Sequence, residues 1–392
     1  MITPKQGLKL SFDNTAVAFS SKSDKELKWA ERLFKLIGNN FMVKLGKWLT
    51  NFALAIHLPI KGIVKKTIFA QFCGGETIPE CEATIQSLHE YNVGTILDYS
   101  VEGKTTNKQF DQTTNELLKA VEKAHGDKRV PFSVFKVSGL GSFKVLEKKI
   151  EDQKDDKEFL KILDRVDQLC KASFETNTPI FIDAEESWIQ ATIDWIAEMM
   201  MVKYNKEKPI VYNTAQMYRH DRLDYIKELH QRANKQGFKL GLKIVRGAYM
   251  EKERARAKEK GYESPINKSK EETDSLYNQA LEYCMNNLND IAICAGTHNE
   301  QSSIYLTELM GQHDVALDDK RVYFSQLLGM SDHISFNLSN ANYNVAKYVP
   351  YGPIKEVIPY LIRRAEENTA VAGQTSRELN LISKEIKRRK SS

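Results

Sequence analysis

The residues best suited to chemistry lie near the C-terminal end. In the stretch Tyr360-Leu361-Ile362-Arg363-Arg364-Ala365-Glu366-Glu367-Asn368, helical spacing puts Tyr360, Arg363, Arg364 and Glu367 on one face. Val357, Ile358, Leu361, Ile362 and Ala365 fall on the other. The apolar stripe can hold such a helix on a core while the polar one presents a phenol, two guanidiniums and a carboxylate. Adjacent guanidiniums with fixed fork geometry suit a carboxylate or a phosphate. Taken alone, an Arg-Arg pair is more often a solvated basic face, and only its surroundings change that reading.

The chain upstream supplies the surroundings. From residue 94, a short β-branched or apolar run followed by a helical stretch recurs eight times, with runs at 95–97, 132–136, 179–183, 210–213, 240–245, 291–294, 322–325 and 345–348. Short strands alternating with helices imply parallel βαβ units. Eight such units over about 280 residues imply a closed barrel. A doubly wound sheet is the alternative, but the first βα turn carries no GxGxxG. In a barrel of this kind chemistry sits where strands end. Here the ends carry Asp98, Lys136, Asp183, Gln216, Arg246, His298, Gln326 and Tyr348, and the helix after the eighth strand is the one with the arginine pair.

Each of these residues also has a structural reading. Lys136 could be an ion pair with Asp183 or Asp98, His298 could cap the sixth helix, and Asp183-Ala184-Glu185-Glu186 could be an acidic turn favoured by the helix dipole. Together they describe a polar mouth facing two guanidiniums. Residues 251–272, rich in Lys and Glu with Gly261 and Pro265, read as a charged helix and loop over that mouth. Pro359 requires a helix start or a kink nearby.

The totals exclude several classes. With 392 residues, 41% hydrophobic and 28% charged, the chain has the make-up of an ordinary globular protein. Net charge is +5, but Lys384, Lys387, Arg388, Arg389 and Lys390 against Glu385 account for most of it. The near-neutral body argues against a nucleic-acid binder. Five scattered cysteines without a CxxC pair point to neither a disulfide framework nor a metal site. No run of 18 apolar residues spans a membrane, and no signal or transit peptide is expected. From residue 26 to about 69 the pattern is helical, with stripes at Trp29, Leu33, Phe34, Leu36 and Ile37 and at Met42, Leu45, Trp48, Leu49 and Phe52. The acid-free stretch 45–72 reads as an arm packed on the main body, with a membrane surface as the other reading.

In register through all eight units, the motifs Leu97-Asp98-Tyr99-Ser100-Val101-Glu102, Phe135-Lys136-Val137-Ser138, Ile182-Asp183-Ala184-Glu185, Tyr212-Asn213-Thr214-Ala215-Gln216, Lys243-Ile244-Val245-Arg246-Gly247-Ala248-Tyr249 and Gly296-Thr297-His298-Asn299, with Tyr348 and the stretch 360–368, resemble the proline dehydrogenases. The similarity runs from about residue 67 to 375, and resembles the single-function form because no aldehyde dehydrogenase region follows. It implies a distorted (βα)8 TIM-type barrel (93–370) with an N-terminal helical arm (1–92) and a basic C-terminal tail (371–392). The implied reaction is oxidation of L-proline to Δ1-pyrroline-5-carboxylate with hydride transfer to FAD and a quinone as electron acceptor. By the same resemblance, Asp183 and Lys243 are catalytic. Lys136, Tyr348, Tyr360, Arg363 and Arg364 bind substrate, and Glu102 and Asp98 form a gate in which Glu102 pairs with Arg363. Ala184, Gln216, Arg246, Gly247, Ala248, Tyr249, Thr273, Thr297, His298 and Glu367 hold the cofactor. Some members carry Arg at the position of Lys243, so the planar fork is lost there.

Three other readings remain. A hydroxyproline dehydrogenase is disfavoured by Tyr348, which crowds the ring. A lyase would use Lys136 as a Schiff-base former. A flavin-free scaffold would keep only the fold. The amphipathic tail, with Leu379, Ile382 and Ile386 on one side, suggests peripheral membrane contact in a cytoplasmic, inner-face setting. Oligomeric state is left open.

Overall fold

The computed structural model describes residues 10–55, 61–101, 103–148, 150–152, 155–370 and 374–391, without the side chains at 40, 49–55, 365–370 and 374–376. Eight parallel strands close into a barrel in chain order: β1 (Val93–Tyr99), β2 (Phe132–Lys136), β3 (Ile180–Asp183), β4 (Val211–Gln216), β5 (Leu240–Val245), β6 (Ile291–Gly296), β7 (Val322–Leu327) and β8 (Val345–Tyr351), which pairs back onto β1. Alternation along each strand divides side chains between the barrel interior and the surrounding helices. Ile96, Phe132, Val134, Phe181, Tyr212, Cys294 and Ala346 fill the interior. Phe132 and Phe181 stack at 4.4 Å, and Tyr348 lies over Phe181 with 6.3 Å between ring centres.

Local sequence starts the helices. Thr106 and Gln109 form a capping box for Asn107–Ala124, Asp156 caps Lys157–Glu175, and Asn299 caps Glu300–Gln312. Asn299, not His298, is therefore the cap after β6. Helix Ser187–Tyr204 makes no side-chain cap of its own. Its first donors are met instead by Glu253, which accepts from the Ser187 amide and hydroxyl at 2.6 Å each. Glu253 belongs to helix Met250–Lys260, the charged excursion after β5, which Gly261 ends in a left-handed turn. Lys252–Glu186 at 2.7 Å and Arg256 over the Trp188 ring at 4.4 Å complete the docking, beside the end of β3.

The arm departs from expectation. In helix Asp24–Ile37 the inward residues are Leu27, Ala30, Leu33, Phe34 and Ile37. Trp29 and Leu36 lie seven apart on a separate stripe and are exposed, as are Met42, Leu45 and Trp48 in helix Asn40–Ala55, where Val43 turns inward. The tail departs too. Helix Gln374–Lys390 buries Leu381 and Ile382 in a core shared with Phe34, Val43, Phe72, Val357 and Leu361, and packs Leu379 and Ile386 against it. Its basic end is tied down as well. Arg388 and Arg389 pair with buried Glu385 at 2.8 Å, and Arg389 reaches the Phe19 and Lys22 carbonyls at 2.9 and 2.8 Å. The apolar side that suggested membrane contact is thus used for packing.

Helix Ile354–Ala370 starts before Pro359 and runs through it, forgoing one bond to the Lys355 carbonyl. Burial of Val357, Ile358 and Leu361 in the shared core holds it in place.

Candidate active site

Strand register builds the centre of the mouth. Lys136 at the end of β2 stands opposite Asp183 at the end of β3, and the ammonium reaches the carboxylate at 3.0 Å, with Asp98 of β1 3.8 Å away. Lys243, buried on β5, pairs with the other oxygen of Asp183 and hydrogen-bonds the Tyr348 hydroxyl at 2.6 Å. Its ammonium also lies 4.6 Å from the Tyr348 ring centre and 5.3 Å from that of Phe181. Burial would raise the Asp183 carboxyl, but Lys243 and Lys136 outweigh it and hold it below the ordinary carboxylate value. Burial likewise opposes charge on Lys136, yet Asp98 and Asp183 hold it well above the ordinary lysine value. A lysine kept this firmly protonated is a poor Schiff-base former, so the lyase reading loses its nucleophile.

Ser100 fixes Asp98 with a 2.8 Å bond. Two ammoniums against two carboxylates cancel, so attraction for an anionic substrate has to come from the helix after β8. There Tyr360 and Arg364 are buried, with the Arg364 guanidinium 5.2 Å from the Tyr360 ring centre, and Arg363 is half-buried. Burial raises the Tyr249 phenol, on which the charges of Lys136 and Arg363 both act, so Arg363 belongs to the side of the lysine cluster. The charges of Lys347, Arg364 and Arg246 all act on His298.

A second group lies along the ends of β4 to β6. Gln216 donates to the Glu185 carbonyl at 2.7 Å and accepts from the Ala248 amide at 3.3 Å, tying two loops together. Arg246 donates to Asp274 (2.7 Å), Thr297 (2.6 Å) and Ser302 (2.9 Å) and lies over the Tyr277 ring. Gly247 has φ 135°, and a Cβ there would meet the Tyr218 ring at 2.6 Å, so the backbone beside Ala248 stays bare. His298 shares a 2.9 Å hydrogen bond through Nδ1 with Ser331. Burial and the surrounding cations push its pKa down to about 3, leaving a neutral imidazole. Ala184 is buried just beyond Asp183.

Not every expected residue joins this set. The Thr273 hydroxyl is engaged by the Ser269 carbonyl and Asn267, and its neighbour Asp274 is what reaches Arg246. Gln326 bonds the Thr297 carbonyl and Ser335, a supporting role. Glu102, and with it the expected pairing to Arg363, lies outside the described residues, as does the Glu367 side chain. Sequence reading passed over Glu185, whose carboxylate takes both the amide and the hydroxyl of Ser138. Burial raises its pKa to about 7. It stood within a quoted motif, but nothing in its spacing separates it from an acidic helix start. No cluster suited to a metal ion occurs among the described residues.

A closed parallel barrel with ion pairs at its strand ends and two arginines on the helix after β8 has the architecture of the (βα)8 class. Residues 81–377 match the family described as Proline dehydrogenase. The chain is 34% identical over 434 residues to proline dehydrogenase 1, mitochondrial, of Dictyostelium discoideum, covering 97% of this chain and 75% of that one. It is also 34% identical over 324 residues to the carbapenem antibiotics biosynthesis protein CarD of Pectobacterium carotovorum, covering 81% and 83%. A crystal structure of proline utilization A from Bdellovibrio bacteriovorus shares the fold at a TM-score of 0.72 and 19% identity, over 93% of this chain and 40% of that longer one. The chain belongs to the proline dehydrogenase family and is an oxidoreductase acting on proline.

Proposed function

We propose that this mouth binds L-proline and oxidises it to Δ1-pyrroline-5-carboxylate, with FAD as the cofactor and a quinone as electron acceptor, at the inner face of a membrane on the cytoplasmic side. The observation that carries the reading is that the helix bearing Arg363 and Arg364 follows β8, the strand whose Tyr348 joins the Lys136–Asp183–Lys243 cluster at the mouth. Arg363 and Arg364 grip the substrate carboxylate, with Lys136 as a third cation. Asp183, held ionised between two ammoniums, is a fixed negative charge that orients the ring nitrogen rather than a proton acceptor. Tyr348 and Tyr360 wall the ring, and Asp98 with Glu102 forms the gate. Such positioning of a reactant is where protein side chains contribute most when a cofactor carries the chemistry.

The donors around β4 to β6 fit FAD. Arg246, His298, Thr297 and the exposed backbone at Gly247 suit a diphosphate, while Gln216 with the Ala248 amide it holds, Ala184 and Tyr249 line the ring side, with Glu367 and Thr273 as outlying contacts. Lys243 adds a positive charge suited to an electron-rich reduced ring. Bound FAD supplies the hydride acceptor. The test is an anaerobic visible spectrum titrated with L-proline. Bleaching of the yellow band is expected; absence of bleaching, or bleaching that survives loss of both arginines, overturns the reading.

A further inference from the structure

We propose that the exposed face of helix Asn40–Ala55 docks on an anionic lipid bilayer. The proposal rests on the membrane-face reading above and names the surface that meets the lipid. Thirteen large hydrophobic side chains are exposed among the described residues, and seven of them (Trp29, Leu36, Phe41, Met42, Leu45, Trp48 and Ile63) fall between residues 29 and 63. Phe41 is 71% exposed, Trp48 60% and Ile63 69%. Scattered exposed apolar residues need no explanation, but a concentration of this kind does.

Phe41, Leu45 and Trp48 stand at i, i+4 and i+7, a single stripe of the helix, and the sequence continues it at Leu49 and Phe52. Val43, on the opposite side, is buried. The helix therefore has two apolar faces, one already packed on the protein. Behind it a cavity of about 240 Å³ opens between Met42, Val43, Val64 and Ile68 and the residues Ile358 and Leu361 of the arginine-bearing helix.

Charge selects the occupant. Between Glu31 and Glu76 the sequence has no acidic residue but carries Arg32, Lys35, Lys44, Lys47, Lys61, Lys65 and Lys66. Lys61 and Lys65 turn to Glu76; Lys44, four residues before Trp48, is exposed on the flank of the apolar stripe, and Lys47 and Lys66 are exposed as well. Aromatic and aliphatic residues flanked by lysines match the boundary between acyl chains and anionic headgroups. A second copy of the chain would bring two acid-free basic faces together, which charge repulsion opposes. The C-terminal helix offers no such face, since its apolar side is packed inward.

The FAD-loaded full chain is sedimented with vesicles of phosphatidylcholine, with and without phosphatidylglycerol. Wild type and a variant with Lys384, Lys387 and Lys390 changed to Gln should both partition to the anionic vesicles, and F41E/W48E should lose more than about tenfold. Brominated acyl chains should quench wild-type tryptophan fluorescence, and W48F, a variant gentle on the fold, should lose that quenching. Equal partition of wild type and F41E/W48E, quenching unchanged in W48F, or a soluble dimer that F41E/W48E dissolves would overturn the proposal. Proline-dependent reduction of a water-soluble dye, equal in wild type and F41E/W48E, keeps the two readings separate. Dye reduction without vesicle binding rejects the docking surface alone, and vesicle binding without dye reduction rejects the oxidation reading alone.

Discussion

Two aspartates in this molecule each sit between two lysines. Asp183 takes Lys136 and Lys243 at the barrel mouth, while Asp332 takes Lys347 of β8 at 2.8 Å and Lys22 of the N-terminal segment at 3.3 Å. The composition is the same and the surroundings differ. Lys347 is almost fully buried and directs its three donors to Asp332 and to the Leu327 and Met330 carbonyls. Nothing is left over for a ligand. Lys136 is half-buried at the end of β2 and makes one hydrogen bond among the described residues, to Asp183. Buried charge alone does not mark a site; a charge with donors in reserve, at a strand end beside an opening, does.

The sharpest separation is expected at Arg363 and Arg364. Changing both to Ala should lower kcat/KM for L-proline by about two to four orders of magnitude, as each removes a charge-assisted contact of about 1.5–3 kcal/mol. Arg363→Lys should fall between, because charge survives and the fork does not. Steady-state dye reduction measures both, and a double variant within tenfold of wild type would remove the mouth as the carboxylate site.

The Asp332 cluster should behave in the opposite way. Lys347→Met leaves a buried carboxylate underpaired, at a cost of about 3–5 kcal/mol in stability. The added change Asp332→Asn should recover much of it. Once the variants are folded, kcat/KM should stay near wild type. Burial opposes charge on Asp332, but its lysines hold it at about 2. This stability is therefore present above the unfolded carboxylate value of about 4 and lost as pH falls through about 2. Denaturant melts across that range check the sign, and a Lys347→Met protein that is stable but inactive would erase the contrast.

Glu185 gives a smaller effect with the reverse dependence. Its pKa is raised to about 7, so the folded protein holds a proton the unfolded chain has released, and stability falls as pH rises from the ordinary glutamate value to about 7. A shift of this size corresponds to about 3 kcal/mol. Glu185→Gln should flatten that slope and gain stability at pH above 7. Parallel melting curves for the two proteins would show that Ser138 holds the carboxylate ionised instead.

How these residues were legible depends on distance along the chain. All eight strands are visible as local apolar runs, and parallel order follows from the helices between them. The meeting of Lys136 with Asp183 follows from adjacent strand ends. By contrast, Glu253 capping the helix that begins at Ser187, and Glu378 of the C-terminal helix accepting from the Ser331 amide at 2.9 Å, join segments with no shared periodicity. The arm failed for another reason. Trp29, Leu36, Leu45 and Trp48 form helical stripes as regular as buried ones, and pattern alone does not say which of two apolar faces meets the protein.

The finest test within the mouth is Lys136→Met. Asp183 keeps its bond to buried Lys243 and Asp98 keeps its bond to Ser100, so loss of this half-buried lysine should cost about 1–3 kcal/mol of stability, less than a fully enclosed one. If Lys136 only steadies the substrate carboxylate beside the two arginines, KM should rise by about tenfold with kcat nearly constant, as for an interaction made equally in the ground and transition states. A fall in kcat at constant KM would instead assign Lys136 to the chemical step. The equivalent change at Lys347 has no such outcome to offer, because its ammonium is fully enclosed by protein acceptors. The two lysine–aspartate clusters are thus told apart by which rate constant moves, not by how strongly their charges attract.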